Sequence, residues 1–130
     1  MLITLTVDIR LIAIVAFGGA LGAVLRYIIP TFLPENYGVS NTLGINLIGS
    51  LLLGSLFGAI SAGLEISEET ILLIGTGFLG AFTTMSTFAF ESVEIIQENQ
   101  LMALVYILIT VFGSIFLAWI GYYTMTIVIS

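Results

Sequence analysis

Hydrophobic residues run along the chain in four long blocks separated by short polar clusters. The first block covers roughly residues 9–29 and stops before Pro30, with Pro34 and Glu35 in the connection that follows. The second runs from about 39 to 62 and is closed by Gly63, the third from 70 to 96, and the fourth from 101 to 129. A helix needs about 20 mainly apolar residues to cross hydrocarbon, so each block predicts one spanning helix. Ser40, Asn41 and Thr42 offer capping side chains where the second block begins. Ser67 does the same for the third, with Glu68 and Glu69 placed against the positive end of the helix dipole. Four spans with short loops fill residues 1–130, which predicts an all-α membrane protein forming a single transmembrane domain.

The third block departs from this pattern. Gly75–Glu91 reads GTGFLGAFTTMSTFAFE, crowded with glycine and hydroxyl residues and free of lysine and arginine. Glycine weakens a helix, and polar side chains in hydrocarbon require partners. Non-helical backbone at membrane depth is tolerated only where protein buries it or a watery cavity adjoins it. The stretch therefore predicts a broken third helix with a functional site at the break.

Composition sharpens the picture. At 59% hydrophobic and 8% charged, the chain is too apolar to be a soluble domain of this size. It has no cysteine and no histidine, which removes disulfides, imidazole chemistry and the commonest metal ligand. Asp8 and Arg10 precede an apolar stretch too long for a cleavable signal, so the first segment is expected to stay in the membrane. The net charge of −6 comes largely from carboxylates in or beside the loops, which argues against electrostatic funnelling of an anion. No nucleophile–base set, phosphate loop, metal cluster or basic patch for nucleic acid is present, and no enzyme is expected.

The two basic residues flank the first span at opposite ends, Arg10 at its start and Arg26 near its close. Orientation follows lysine and arginine near helix ends, and here the two cancel. Either other signals orient the protein, or both orientations are made and an antiparallel dimer is the working unit. Gly18 and Gly22 form a GxxxG pair, and Ser50, Gly54 and Gly58 form a ridge of small residues on the second span. Both predict close helix packing.

A few polar residues stand at membrane depth. Asn46 lies mid-span, where its amide serves either as interhelical glue or as a pair of donors to a ligand. Tyr106, Thr110 and Ser114 follow one another at steps of four on one helix face. Such hydroxyls either bond back to their own helix or line a pore. Met85 and Phe88 are one turn apart, as core packing or, for the phenyl ring, as an electropositive edge for an anion. Glu91 is expected to face interfacial water. Arg26 is expected to snorkel to the interface or to act as a counter-charge in a vestibule.

Three stretches resemble the Fluc (also called CrcB) family of bacterial fluoride channels. GGALGAVLRY at Gly18–Tyr27 is similar to the family's glycine-rich stretch ending in arginine. NTLGINLIGS at Asn41–Ser50 resembles its Gly-Thr-Leu…Asn block, with Asn41 in place of the glycine. GFLGAFTTMSTF at Gly77–Phe88 is close to its Gly-x-x-Gly-Gly-[Leu/Phe]-[Ser/Thr]-Thr-Phe-Ser-Thr-Phe pattern, with Ala81 for a glycine and Met85 for a phenylalanine. The resemblance implies a fluoride pathway formed by Asn46, Phe88, Met85, Tyr106, Thr110, Ser114 and Thr42. It further implies a structural sodium ion held by backbone carbonyls at Gly80 and Thr83, and a dual-topology antiparallel homodimer with two pores. Met85 has no ring edge, so conduction is expected to survive at an altered rate.

The expected function is passive export of cytoplasmic fluoride by a multi-pass protein of the inner (plasma) membrane, with no organic cofactor and no nucleic-acid partner. The alternative is a small dual-topology multidrug or cation transporter. Proton coupling there needs a carboxylate deep in the first span, and residues 9–29 contain none.

Overall fold

The computed structural model describes residues 8–33 and 38–130. Helix α1, Ile9–Ile28, starts from Asp8, whose carboxylate accepts the Arg10 N–H at 2.8 Å. A 3-10 turn, Ile29–Phe32, follows, with Pro30 at its start. Proline supplies no N–H, so α-helical bonding ends there. Helix α2, Gly38–Ser61, is already helical at Gly38. Asn41 and Thr42 therefore lie inside it and do not cap it, and the Ser40 side chain lies outside what is described. At its other end Gly63 turns the chain with φ +97°, a conformation open to glycine at little cost. Leu64 N–H donates back to the Ala59 carbonyl across that turn.

The third span is built from four pieces. Helix α3, Glu68–Ile71, is capped by Ser67, whose hydroxyl accepts the Thr70 N–H at 3.3 Å. A π-helical stretch, Leu72–Leu79, leads into a short helix α4, Gly80–Phe82. Thr83 and Thr84 are extended, and helix α5 resumes over Met85–Glu98. Gly75 and Gly77 thus lie in the widened stretch and Gly80 opens the short helix after it, while the interruption falls on the two threonines that follow. Helix α6, Gln100–Ile129, is capped by Asn99, which accepts the Met102 N–H at 3.0 Å. Its 30 residues reach about 45 Å at ~1.5 Å each. Four helical stretches are long and apolar enough to cross a membrane, at Ile9–Phe32, Asn41–Ser61, Glu68–Glu98 and Gln100–Ile129.

Glycines set the two main contacts. A Cβ at Gly18 would overlap the Leu73 carbonyl, and one at Gly22 the Phe78 carbonyl, so α1 lies backbone to backbone on the π-helical stretch. Gly54 and Gly58 of α2 meet Ala118 and Tyr122 of α6 in the same way, and Gly121 returns the contact against Leu51. Large apolar side chains such as Phe17, Leu21, Phe112 and Phe116 point outward, as lipid demands. At one end of the bundle Arg10 pairs with Glu69 at 2.7 Å, and Tyr122 donates to Ser61 at 2.7 Å. Arg26, Thr42 and Glu91 lie toward the other.

Candidate functional site

The interruption at Thr83–Thr84 frees backbone groups that must be satisfied inside the bundle. Thr83 N–H still reaches the Leu79 carbonyl at 3.1 Å. Its own carbonyl accepts from the Arg26 guanidinium, Nη1 to O, at 3.3 Å. Thr84 is held at both ends by one side chain. Its N–H donates to Asn46 Oδ1 at 2.8 Å, and its carbonyl accepts from Asn46 Nδ2 at 3.0 Å. The donor on one side and acceptor on the other fix which way the amide points.

Thr84 in turn caps α5. Its hydroxyl accepts the Thr87 N–H at 3.2 Å and donates to Thr87 Oγ1 at 3.0 Å. Asn46, 8% exposed, thus acts as glue through one proton and its oxygen. An NH₂ group carries two protons, so the second is left for the space beside it.

That space is a cavity of about 260 Å³ between α2, the interruption and α6. Asn46, Met85, Phe88, Thr110 and Ser114 all line it, together with Gly49, Ser50, Leu53, Thr83, Thr84 and Val111. Five of the seven predicted pathway residues therefore converge. Met85 and Phe88 border it differently. Phe88 is 5% exposed and leans on Tyr106, ring centroids 5.4 Å apart and tilted 55°, whereas Met85 is 73% exposed on the flank of the chain.

The hydroxyl stripe of α6 divides. Thr110 donates to the Tyr106 carbonyl of its own helix at 2.7 Å, and Tyr106 donates to Glu91 Oε2 at 2.7 Å. Ser114 borders the cavity on the same face, one further turn along.

Thr42 and Tyr106 converge on Glu91. Thr42 donates to Oε1 at 2.8 Å, so each carboxylate oxygen accepts one hydroxyl. Glu91, expected to face interfacial water, is half-buried, and donors on α2 and α6 hold both of its oxygens. Beside it a second cavity, about 450 Å³, is lined by Arg26, Tyr27, Asn41, Thr42, Thr87 and Glu91 among others. It shares Thr84 with the first cavity. Arg26 does not snorkel away from the bundle but reaches the interruption.

A family model described as "CrcB-like protein, Camphor Resistance (CrcB)" matches residues 13–122. The chain belongs to this family. Curated relatives include a protein of Pyrococcus furiosus, 42% identical over 88% of this chain and 95% of its own. A Methanocaldococcus jannaschii protein is 42% identical over 87% and 92%, and one from Thermotoga petrophila 40% identical over 82% and 87%. Each of the three is named "Fluoride-specific ion channel FluC".

For this CrcB chain, Gly49 and Ser50 are cavity residues that the candidate pathway lacked. They fall three and four positions after Asn46, on the same face of α2, so helical spacing alone could have found them. The pairing of Asn46 with Thr84 spans 38 positions and has no such local signal. Among the described residues no three of Asp, Glu, His or Cys gather as a metal cluster.

Proposed function

We propose that this chain is a fluoride-selective channel, not an enzyme, that lets fluoride leave the cytoplasm down its electrochemical gradient. The observation that carries the reading is the buried Asn46 amide, fixed by the backbone N–H and carbonyl of Thr84 and holding a spare proton at a cavity with Phe88 and Ser114. Family membership and the names of the relatives support the same ion. Fluoride is small and strongly hydrated, so a route for it must be narrow and must replace water with donors. Asn46 and the Ser114 hydroxyl are the donors of this route; Thr42, Tyr106 and Thr110, whose protons go to Glu91 and to the Tyr106 carbonyl, complete its lining. The Phe88 ring edge adds an electropositive border, and Met85 an apolar, polarizable one.

Glu91 borders the second cavity together with Arg26, and each of its oxygens is occupied by a hydroxyl donor. Arg26 supplies a positive charge at the second cavity, which is the vestibule. Hydrogen fluoride enters neutral and ionises in a more alkaline cytoplasm. An inside-negative potential then expels the anion, at about 2.3 kcal/mol per 100 mV, with no fuel.

The working unit in this reading is an antiparallel homodimer in the inner (plasma) membrane. By sequence, Asp8, Arg10, Glu65, Glu68 and Glu69 fall at one end of the spans, and Arg26, Glu35, Glu91, Glu94 and Glu98 at the other. Each end carries four carboxylates and one arginine, so nothing favours one orientation. A structural sodium ion at the dimer centre would take the Gly80 and Thr83 carbonyls. The Gly80 carbonyl is the observation that supports it. Thr83 N–H bonds Leu79 and Thr84 N–H bonds Asn46, which leaves the Gly80 carbonyl without its helical donor. Thr83 oxygen keeps one lone pair beside the Arg26 bond.

Efflux from vesicles tests the reading against a proton-coupled transporter. With purified protein in fluoride-loaded liposomes, a potassium-selective ionophore alone should release fluoride without any proton gradient. Strict dependence on a proton gradient, or uptake of an organic cation in place of fluoride release, would overturn it.

A further inference from the structure

Asn46 and Gly49 lie one turn apart on α2, and both meet the two extended residues of the third span. Asn46 holds the backbone N–H and carbonyl of Thr84. At Gly49 an added Cβ would overlap Cγ2 of Thr83 and come within 3.5 Å of Phe82 Cδ1. The obstacle there is a side chain of the interruption itself. At Gly18, Gly22, Gly54, Gly58 and Gly121 it is the backbone of a packed helix, where glycine serves only close approach.

Thr83 has little freedom to move aside. Its Oγ1 donates to the Leu79 carbonyl at 3.0 Å, and its own carbonyl is engaged by Arg26. A β-branched side chain has few χ1 choices, and turning Cγ2 away would break the Oγ1 bond.

We infer that Gly49 is a positioning residue for the fluoride route: the space its missing side chain leaves is the seat for Thr83 Cγ2. With the methyl group seated, Asn46 can bond both the backbone N–H and the carbonyl of Thr84. That sets where α5 resumes, and so the height at which Met85 and Phe88 border the cavity. Gly49 touches no ion in this scheme and acts through Thr83. The inference rests on the fluoride-channel reading and adds a residue to it.

A double-mutant cycle tests the seat, because Thr83→Ser removes Cγ2 and keeps Oγ1. Wild type, Gly49→Ala, Thr83→Ser and the double variant are reconstituted, and fluoride and chloride fluxes are measured on each. Gly49→Ala should lower fluoride flux by about tenfold, the scale of an overpacked contact, and narrow the fluoride-to-chloride ratio. The double variant should return to the flux and ratio of Thr83→Ser alone. Should Gly49→Ala fail to fold, recovery of both folding and flux in the double variant carries the same support. Wild-type flux and ratio in Gly49→Ala, or a double variant no better than Gly49→Ala, overturns the seat. A wild type that carries no fluoride sinks the channel reading instead, so the two failures are distinguishable.

Discussion

Asn46→Asp is expected to cut fluoride flux in reconstituted vesicles by roughly 100-fold, the effect of about 3 kcal/mol at the barrier. Two losses combine in the variant. The carboxylate still accepts the Thr84 N–H, yet it turns an oxygen toward the Thr84 carbonyl at the position where Nδ2 stands 3.0 Å away. A buried carbonyl then loses its donor, at about 1–3 kcal/mol. The second loss falls on the ion, because the spare amide proton becomes a lone pair carrying negative charge at the cavity wall. The effect is read with a fluoride electrode on vesicles of matched protein content. Flux at the wild-type level would remove Asn46 from the route. The contact is informative because one side chain both fixes the interruption and faces the cavity, so its chemistry admits few substitutes.

Gly22→Val is expected to abolish folding of the bundle in detergent. A Cβ there would overlap the Phe78 carbonyl and stand about 3.0 Å from the Phe82 nitrogen, and both obstacles are backbone. Ordinary overpacking costs about 1–3 kcal/mol when side chains give way. Here α1 must lift off the π-helical stretch, against a total stability on the order of 5–15 kcal/mol for a domain. Gly44→Ala is the control, since nothing stands within 4 Å of a Cβ there. Size-exclusion profiles and thermal scans should show Gly44→Ala as wild type and Gly22→Val aggregated or absent. A monodisperse Gly22→Val with an unchanged melting point would mean that α1 does not dock where these glycines place it.

The four spans were legible because apolar run length and capping residues are local properties. The sequence boundary at Ile29 meets α1 ending at Ile28, and Ser67 and Gly63 stand at the ends they signal. The departure within the third span was legible as a stretch, Gly75–Glu91, but not to the residue. The extended residues Thr83 and Thr84 fall inside the stretch of glycines and hydroxyls that read as the break. Gly75 and Gly77 stay helical with widened turns, Gly77 against Gly18 of α1 and Gly75 against Leu53 and Leu56 of α2. Asn46 was legible as a polar residue out of place, whereas its partner came from a residue far along the chain.

Glu91 shows the same limit from the other side. A carboxylate near a span's edge reads as solvated, and its bonds to Thr42 and Tyr106 from two other helices have no local signal. Thr110 shows that a stripe of hydroxyls at steps of four does not separate a ladder of donors from helix back-bonding. Its proton goes to Tyr106 of its own helix, while Ser114 one turn on borders the cavity.

Selectivity is the property that distinguishes this account from a generic anion leak. Liposomes holding equal fluoride and chloride, with purified wild-type protein and an imposed potential, allow both ions to be followed in one preparation. The account predicts that fluoride empties within the assay while chloride stays at the level of protein-free vesicles. Parallel loss of the two halides would contradict it.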